Sequence, residues 1–218
     1  MNGVFELRQY TLLPGRRDEL IELFEREFIE TQEASGIQLI GQFRDRNDPD
    51  RFVWVRAFRD MAARAAALQA FYGGPVWKAH RDAANATILD SDNVLLLRPA
   101  RASSGFSQEN AGHRSGASDD EVGAVIYSFK MPVDEAGVEA FERALATAHA
   151  SAIAYFVTEE SPNTFPALPV RENEYALVWF SRAVDAAARK AVSEVLADRL
   201  IREPETLHLS ATPRSRLR

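Results

Sequence analysis

The sequence predicts an α+β fold made of two copies of one module, and three observations predict it. The order strand, helix, strand, strand, helix, strand runs from Val4 to Pro99 and returns from Val122 to Thr212. Trp54, Asp60 and Arg64 reappear as Trp179, Asp185 and Arg189, each displaced by the same interval. Within each copy a hairpin lies between two helical crossovers, which is the βαββαβ, ferredoxin-like plan. One face of such a sheet is covered by its own helices. The other is bare, and a sheet with Phe52 and Trp54 at its centre is not expected to stay bare in water, so the second copy is the natural cover. The expected divisions are residues 1–99, a linker over 100–121, and residues 122–218.

Each element has a local cause. Val4 to Leu12 alternates, with Phe5 and Leu7 on one face and Glu6, Arg8 and Tyr10 on the other, as a strand with unlike faces requires. Pro14-Gly15 breaks it, and Leu20, Leu23, Phe24 and Phe28 recur at helical spacing up to Gly36, a left-handed stop. Ile37 to Arg44 and Phe52 to Phe58 form a hairpin around the turn formers Asp45 to Asp50. Asp60 caps an alanine-rich helix through Phe71, and Asn93 to Arg98 closes the module as a strand.

The segment Ala100 to Glu121 shifts to Ser, Gly, Ala and Asn with Phe106 as its one sizeable anchor, which predicts a flexible linker with an r.m.s. span of ~25 Å. The second copy then runs through a strand at Val122 to Lys130 and a helix carrying Val138, Phe141, Leu145 and Ala148. Strands follow at Ala152 to Thr158 and Tyr175 to Ser181, around a proline-rich loop. A helix capped by Asp185 buries Val184, Ala188, Val192, Val195 and Leu196, and Thr206 to Ala211 is the last strand. Nothing in this copy matches the insert Gly73 to Asp92, so a site in one copy is not expected in the other.

Composition narrows the function classes. A chain of 218 residues with 46% hydrophobic side chains suits two ordinary cores better than one large one. The absence of cysteine excludes disulfides, thiolate metal sites and a cysteine nucleophile. A net charge of −6 argues against nucleic acid, and the basic tail from Arg214 to Arg218 is too short to reverse that. Met1-Asn2-Gly3 leads straight into strand-like sequence, and no apolar run approaches the ~20 residues that cross a bilayer. The expectation is a soluble cytoplasmic protein without a membrane partner.

Phe5-Glu6-Leu7-Arg8-Gln9-Tyr10, Pro14-Gly15, Trp77-Lys78-Ala79-His80-Arg81 and Leu96-Leu97-Arg98-Pro99 together resemble the NIPSNAP domain, over roughly residues 3–100. The second half lacks the Glu-x-Arg-x-Tyr opening and the tryptophan helix, and is similar only through the internal repeat. The resemblance implies a dimeric α+β barrel, in which two ferredoxin-like units pack sheet to sheet. They pair either as an internal pseudo-dimer or across a homodimer. The same superfamily includes cofactor-free monooxygenases, haem-binding peroxidases, chlorite-degrading enzymes and small-molecule-binding regulators. For NIPSNAP proteins themselves the resemblance implies no settled reaction, and fold does not choose among these functions.

The candidate site is the group Tyr72, Trp77, His80 and Arg81, since a helix places Trp77, His80 and Arg81 at i, i+3 and i+4. An aromatic plate, a titratable base and a fixed cation suit an anionic or phenolic ligand, with Arg81 holding the charge and His80 moving the proton as the catalytic residue. The plainer reading, which we prefer, has Trp77 packing under the sheet and His80 pairing at the surface. Arg8, Tyr10 and Trp54 complete the candidate ligand-binding set. For Glu6 and Arg8 structural pairing is preferred, and for Trp54 and Trp179 a shared core position. His149 near a helix C-terminus, His208 in the last strand and His113 in the linker need no catalytic role.

There is no phosphate loop, nucleophile elbow or His-Glu-x-x-His spacing, and four scattered histidines do not make a zinc site. No metal or cofactor is expected, with haem on His80 or His149 a minority alternative. The functional expectation is a protein that binds a small aromatic or quinone-like molecule between sheet and helices of the first module. It would act either as a cofactor-independent oxygenase, with His80 handling the proton, or as a non-catalytic binding or scaffold protein assembling through its barrel.

Overall fold

The computed structural model describes residues 3–107 and 121–218, so His113 and most of the linker lie outside the described residues. Strand β1 (Val4–Leu12) leads into α1 (Arg17–Leu23), a π-helical turn at Phe24–Phe28 and α2 (Ile29–Ala34). Next come β2 (Gln38–Asp45), β3 (Arg51–Phe58), α3 (Met61–Gly73), α4 (Pro75–Asn85), β4 (Ile88–Asp90) and β5 (Val94–Pro99). The second half contains β6 (Glu121–Phe129), α5 (Glu135–Thr147), β7 (Ala154–Thr158), β8 (Tyr175–Ser181), α6 (Ala186–Leu196) and β9 (Glu205–Ala211). The helix starts are set by carboxylates that accept the free amide hydrogens of the first turn. Asp60 accepts from Ala63 N at 2.7 Å, and Asp185 accepts from Ala187 N at 2.9 Å and Ala188 N at 3.0 Å. Gly36 follows α2 with φ of 89°, a left-handed conformation that costs a residue with a Cβ.

All strand pairings are antiparallel. In the first half the order is β5-β1-β3-β2, and in the second β9-β6-β8-β7. The halves join through β2 and β9 (Phe43 opposite Ala211) and through β5 and β7 (Leu97 opposite Thr158). Eight strands thus close into one barrel, which removes the free edges that four-stranded halves would expose. Strand β4 lies outside this ring, paired with the end of β1.

The barrel interior is filled chiefly by apolar side chains. Phe5, Leu7, Val53 and Val55 from one half meet Ala124, Ile126, Val178 and Phe180 from the other, and each fully buried aliphatic or aromatic side chain stabilises by roughly 1.5–3 kcal/mol. Phe106, at the start of the linker, packs against Phe156 and Phe180 with ring centroids 5.2 and 5.1 Å away. The C-terminal tail also enters: Leu217 is buried in the same core and its N–H donates to Ile40 O at 2.9 Å. Arg214 and Arg216 meanwhile pair with Glu30 and Glu33 of α2.

Two expectations are corrected. Phe52 and Trp54 do not face the second copy; they lie under the first-half helices with Leu20, Phe24, Phe28 and Leu68, while Val53, Val55 and Ala57 face inward. Both faces of β3 are buried, so its nearly continuous apolar run marks alternation without marking which side is which. Val195, placed on the buried stripe of α6, is 57% exposed, and the stripe is Ala188, Val192 and Leu196.

Candidate functional site

Alternation along β1 turns Glu6, Arg8 and Tyr10 outward, beneath the helices, and register puts Glu6 opposite Arg56, Arg8 opposite Trp54 and Tyr10 opposite Phe52. Helix α3 adds Arg64 from above. Glu6, Arg8, Arg56 and Arg64 are all 0% exposed, so three guanidiniums crowd one carboxylate in the layer between sheet and helices. Arg8 Nη1 and Arg56 Nε donate to Glu6 Oε2, each at 2.7 Å, and Arg64 Nε donates to Oε1 at 2.6 Å. The cations are further accommodated by π faces: Arg8 lies 5.4 Å and Arg56 5.0 Å from the Trp54 ring.

Burial alone would raise the Glu6 pKa, but the charges of Arg56, Arg8 and Arg64 outweigh it and hold the carboxyl far below the usual range. Burial lowers the pKa of Arg64, and it pushes the Tyr10 phenol up, so that Tyr10 stays protonated at neutral pH. Tyr10 Oη accepts from Arg8 Nε at 3.1 Å, and Gln32 Oε1 accepts from Arg56 Nη1 at 3.2 Å. Arg64 Nη1 reaches Asn163 Oδ1 at 3.0 Å and Thr164 Oγ1 at 3.2 Å, both in the long β7–β8 loop of the second half.

Beside this cluster is a cavity of about 100 Å³, lined chiefly by Tyr10, Phe24, Phe28, Trp54, Phe71, Tyr72 and Trp77, with Gln32 and the aliphatic side chains of Leu20 and Leu168. The π turn helps to shape it. In a regular helix side chains four apart drift by about 40°, and the wider turn offsets that drift so that Phe24, Phe28 and Gln32 share the cavity face. Pro75 opens α4, which sets Trp77 against Phe28 and Tyr72 at ring distances of 5.5 and 4.8 Å. The second half supplies a lid: Phe165 stacks on Tyr72 at 5.8 Å, and Leu168 enters the lining.

Of the residues singled out from sequence, the structure brings together Tyr10, Trp54, Tyr72 and Trp77, with Arg8 behind them. It does not bring His80 or Arg81 into the cavity, so the alternative in which the tryptophan helix presents all three side chains to one pocket is corrected, and the arrangement is that of the preferred reading, with Trp77 packed and His80 paired toward the surface. His80 is turned to Glu27, Nε2 to Oε2 3.5 Å, and Arg81 is 56% exposed beside Asp82. The mixed face of α4 sits astride the boundary between cavity and solvent, so only its first member reaches inward. His149 is exposed after α5 with φ of 54°, and neither it nor His80 lines this cavity. Among the described residues no group of three or more His, Asp or Glu is placed to hold a metal ion, and no helix is long and apolar enough to cross a membrane.

Sequence reasoning missed Arg56, Arg64 as a partner of Glu6, and Gln32. A signal was present: Arg56 interrupts Phe52-Val53-Trp54-Val55 and Arg64 stands alone in an alanine-rich helix, and an isolated arginine in an apolar run needs a buried counterion.

The strand face and the tryptophan helix lie within residues 5–104, which one family model, NIPSNAP, matches. Residues 5–104 are similar to the NIPSNAP domain. A NIPSNAP family protein of unknown function from Agrobacterium tumefaciens str. C58 is 25% identical over 47% of this chain and 92% of its own, with a TM-score of 0.43. Two structures extend past the NIPSNAP domain to nearly the whole chain. A candidate monooxygenase from Lactobacillus acidophilus NCFM covers 97% of this chain and 94% of its own at a TM-score of 0.54 and 16% identity. Another, from Fusobacterium nucleatum subsp. nucleatum ATCC 25586, covers 96% and 92% at 0.61 and 8% identity. At such identities these two share the fold alone. No curated protein matches the sequence.

Proposed function

We propose that this protein binds a small, flat aromatic or quinone-like molecule in the first-half cavity. In this reading the chain is two ferredoxin-like modules paired as an internal pseudo-dimer, with the second holding the first in shape. The observation that carries the reading is the cavity itself, walled by seven aromatic side chains at the edge of a buried charge cluster. Its volume of about 100 Å³ suits a single ring, since a dry apolar cavity of roughly 150 Å³ takes benzene. The likeness in fold to two candidate monooxygenases adds support for a small-molecule site and no particular reaction.

Binding without turnover is the form of this reading the lining favours. A cofactor-independent oxygenase needs a base beside its substrate, and the lining offers no histidine or carboxylate. Saturation-transfer NMR with phenol and 1,4-benzoquinone tests the proposal: both bind the natural protein, and Ala84→Leu, which fills the cavity, abolishes the signal. Unchanged binding in that variant would move the ligand elsewhere and favour a role in assembly alone. Oxygen uptake with 1,4-hydroquinone, lost in the same variant, would restore the oxygenase reading.

A further inference from the structure

We infer that the polar end of the cavity selects a negatively charged acceptor, so that the ligand is an aromatic carboxylate or phenolate; this rests on the aromatic cavity proposed above. Two polar side chains that line the cavity, Tyr10 and Gln32, have their acceptor atoms already engaged by buried arginines. A guanidinium has no acceptor, so Arg56 can only be met by the amide oxygen of Gln32, and Arg8 only by the lone pairs of Tyr10. With one lone pair of each oxygen taken by an arginine, what Tyr10 and Gln32 most readily offer a ligand is the Tyr10 O–H and the Gln32 N–H₂, both donors, while the hydroxyls of Tyr72 and Ser91 donate as well as accept. Asn85, the other amide in the lining, is exposed at the rim, where water serves it.

The charge behind those donors points the same way. Three buried guanidiniums share one carboxylate, and Arg56 Nη2 and Arg64 Nη2 are buried with no hydrogen-bond partner among the described residues. Uncompensated positive charge in a water-poor layer is costly, and an anion one hydrogen bond away would offset it. Trp54 Nε1 also lacks an acceptor, but so does Trp179 Nε1 in the other half, so the indole does not distinguish the site. A ligand that carries positive charge meets an opposing field from the three guanidiniums.

Isothermal titration of the full chain with sodium benzoate and with benzyl alcohol, a neutral ligand of similar shape, tests this at neutral pH. Benzoate binds at least ~10-fold tighter, the step expected of one hydrogen bond to a charged group. In Tyr10→Phe and in Gln32→Leu that ratio falls to within ~3-fold because benzoate loses more affinity than benzyl alcohol, whereas general loosening of the fold would weaken both alike and leave the ratio unchanged. Equal affinities in the natural protein overturn the anion preference and leave the aromatic cavity standing. Binding of neither probe overturns both. A benzoate preference unchanged in both variants places the anion elsewhere and overturns the inference.

Discussion

The two halves of the barrel share a backbone plan and differ in what they bury on it. Trp54 pairs with Arg8 and its counterpart Trp179 with Val125; Arg56 pairs with Glu6 and the corresponding Ser181 with Gly123. Where the first half stacks charge between sheet and helices, the second has a glycine, a valine and a serine. On the β1 face only the tyrosine is kept, Tyr10 answering to Tyr127, and there the hydroxyl donates to the backbone oxygen of Arg189 at 3.3 Å. The space Glu6 occupies is closed in the second half, because a Cβ on Gly123 would lie 2.8 Å from Val184 N. The connections differ too. The β7–β8 loop is long enough to cross to the first half, whereas the β2–β3 turn is short. The second half contributes cover to the first half's cavity, and this asymmetry can be broken from either side.

The largest effect is expected at Glu6. Glu6→Gln leaves three buried guanidiniums without a countercharge and destabilises by about 3–5 kcal/mol, read from urea unfolding, whereas Ser181→Ala on the matching strand of the second half changes little. The same carboxylate has a pH signature. Its folded pKa lies below its ordinary value of 4.5, so the stabilisation is complete above that value and is lost as pH falls through the depressed folded pKa. Acid unfolding of the natural protein therefore contains a Glu6 component that vanishes in Glu6→Gln; equal acid slopes in the two proteins would contradict it. Gly123→Ala, which pushes the second half toward the volume of the first, costs about 1–3 kcal/mol through the clash with Val184.

Smaller effects sharpen the comparison. Phe165 belongs to the second half but stacks on Tyr72 of the first, and a double-mutant cycle of Phe165→Ala with Tyr72→Ala should give a coupling of about 0.5–1.5 kcal/mol. Smallest of all is Arg189→Ala, expected within about 0.5 kcal/mol because its side chain is not held in a buried cluster, whereas its counterpart Arg64 is. A large cost at Arg189 would mean that the halves are more alike than their burial shows.

Much of the architecture was legible in the sequence because its causes are local. Asp60 and Asp185 announce helix starts through the amides they cap, Gly36 announces a left-handed stop, and Tyr175 to Ser181 matches β8 residue for residue. The pairing of Glu6 with Arg8 could be anticipated because they stand two apart on one strand face. The cavity was legible in part. Tyr10, Trp54, Tyr72 and Trp77 could be gathered from the strand face and the insert, but whether His80 and Arg81 join them could not, since helical spacing groups side chains without saying where the packed face ends.

What the chain alone determined was the order of elements, their caps and the presence of charge on a buried face. Tertiary structure decided which face of β3 looks at the other half, which arginines share Glu6, and that a loop some hundred residues downstream roofs the first-half cavity. The physical reason is that propensity and capping act over a few residues, whereas strand register and barrel closure bring together groups whose separation along the chain carries no mark of their contact.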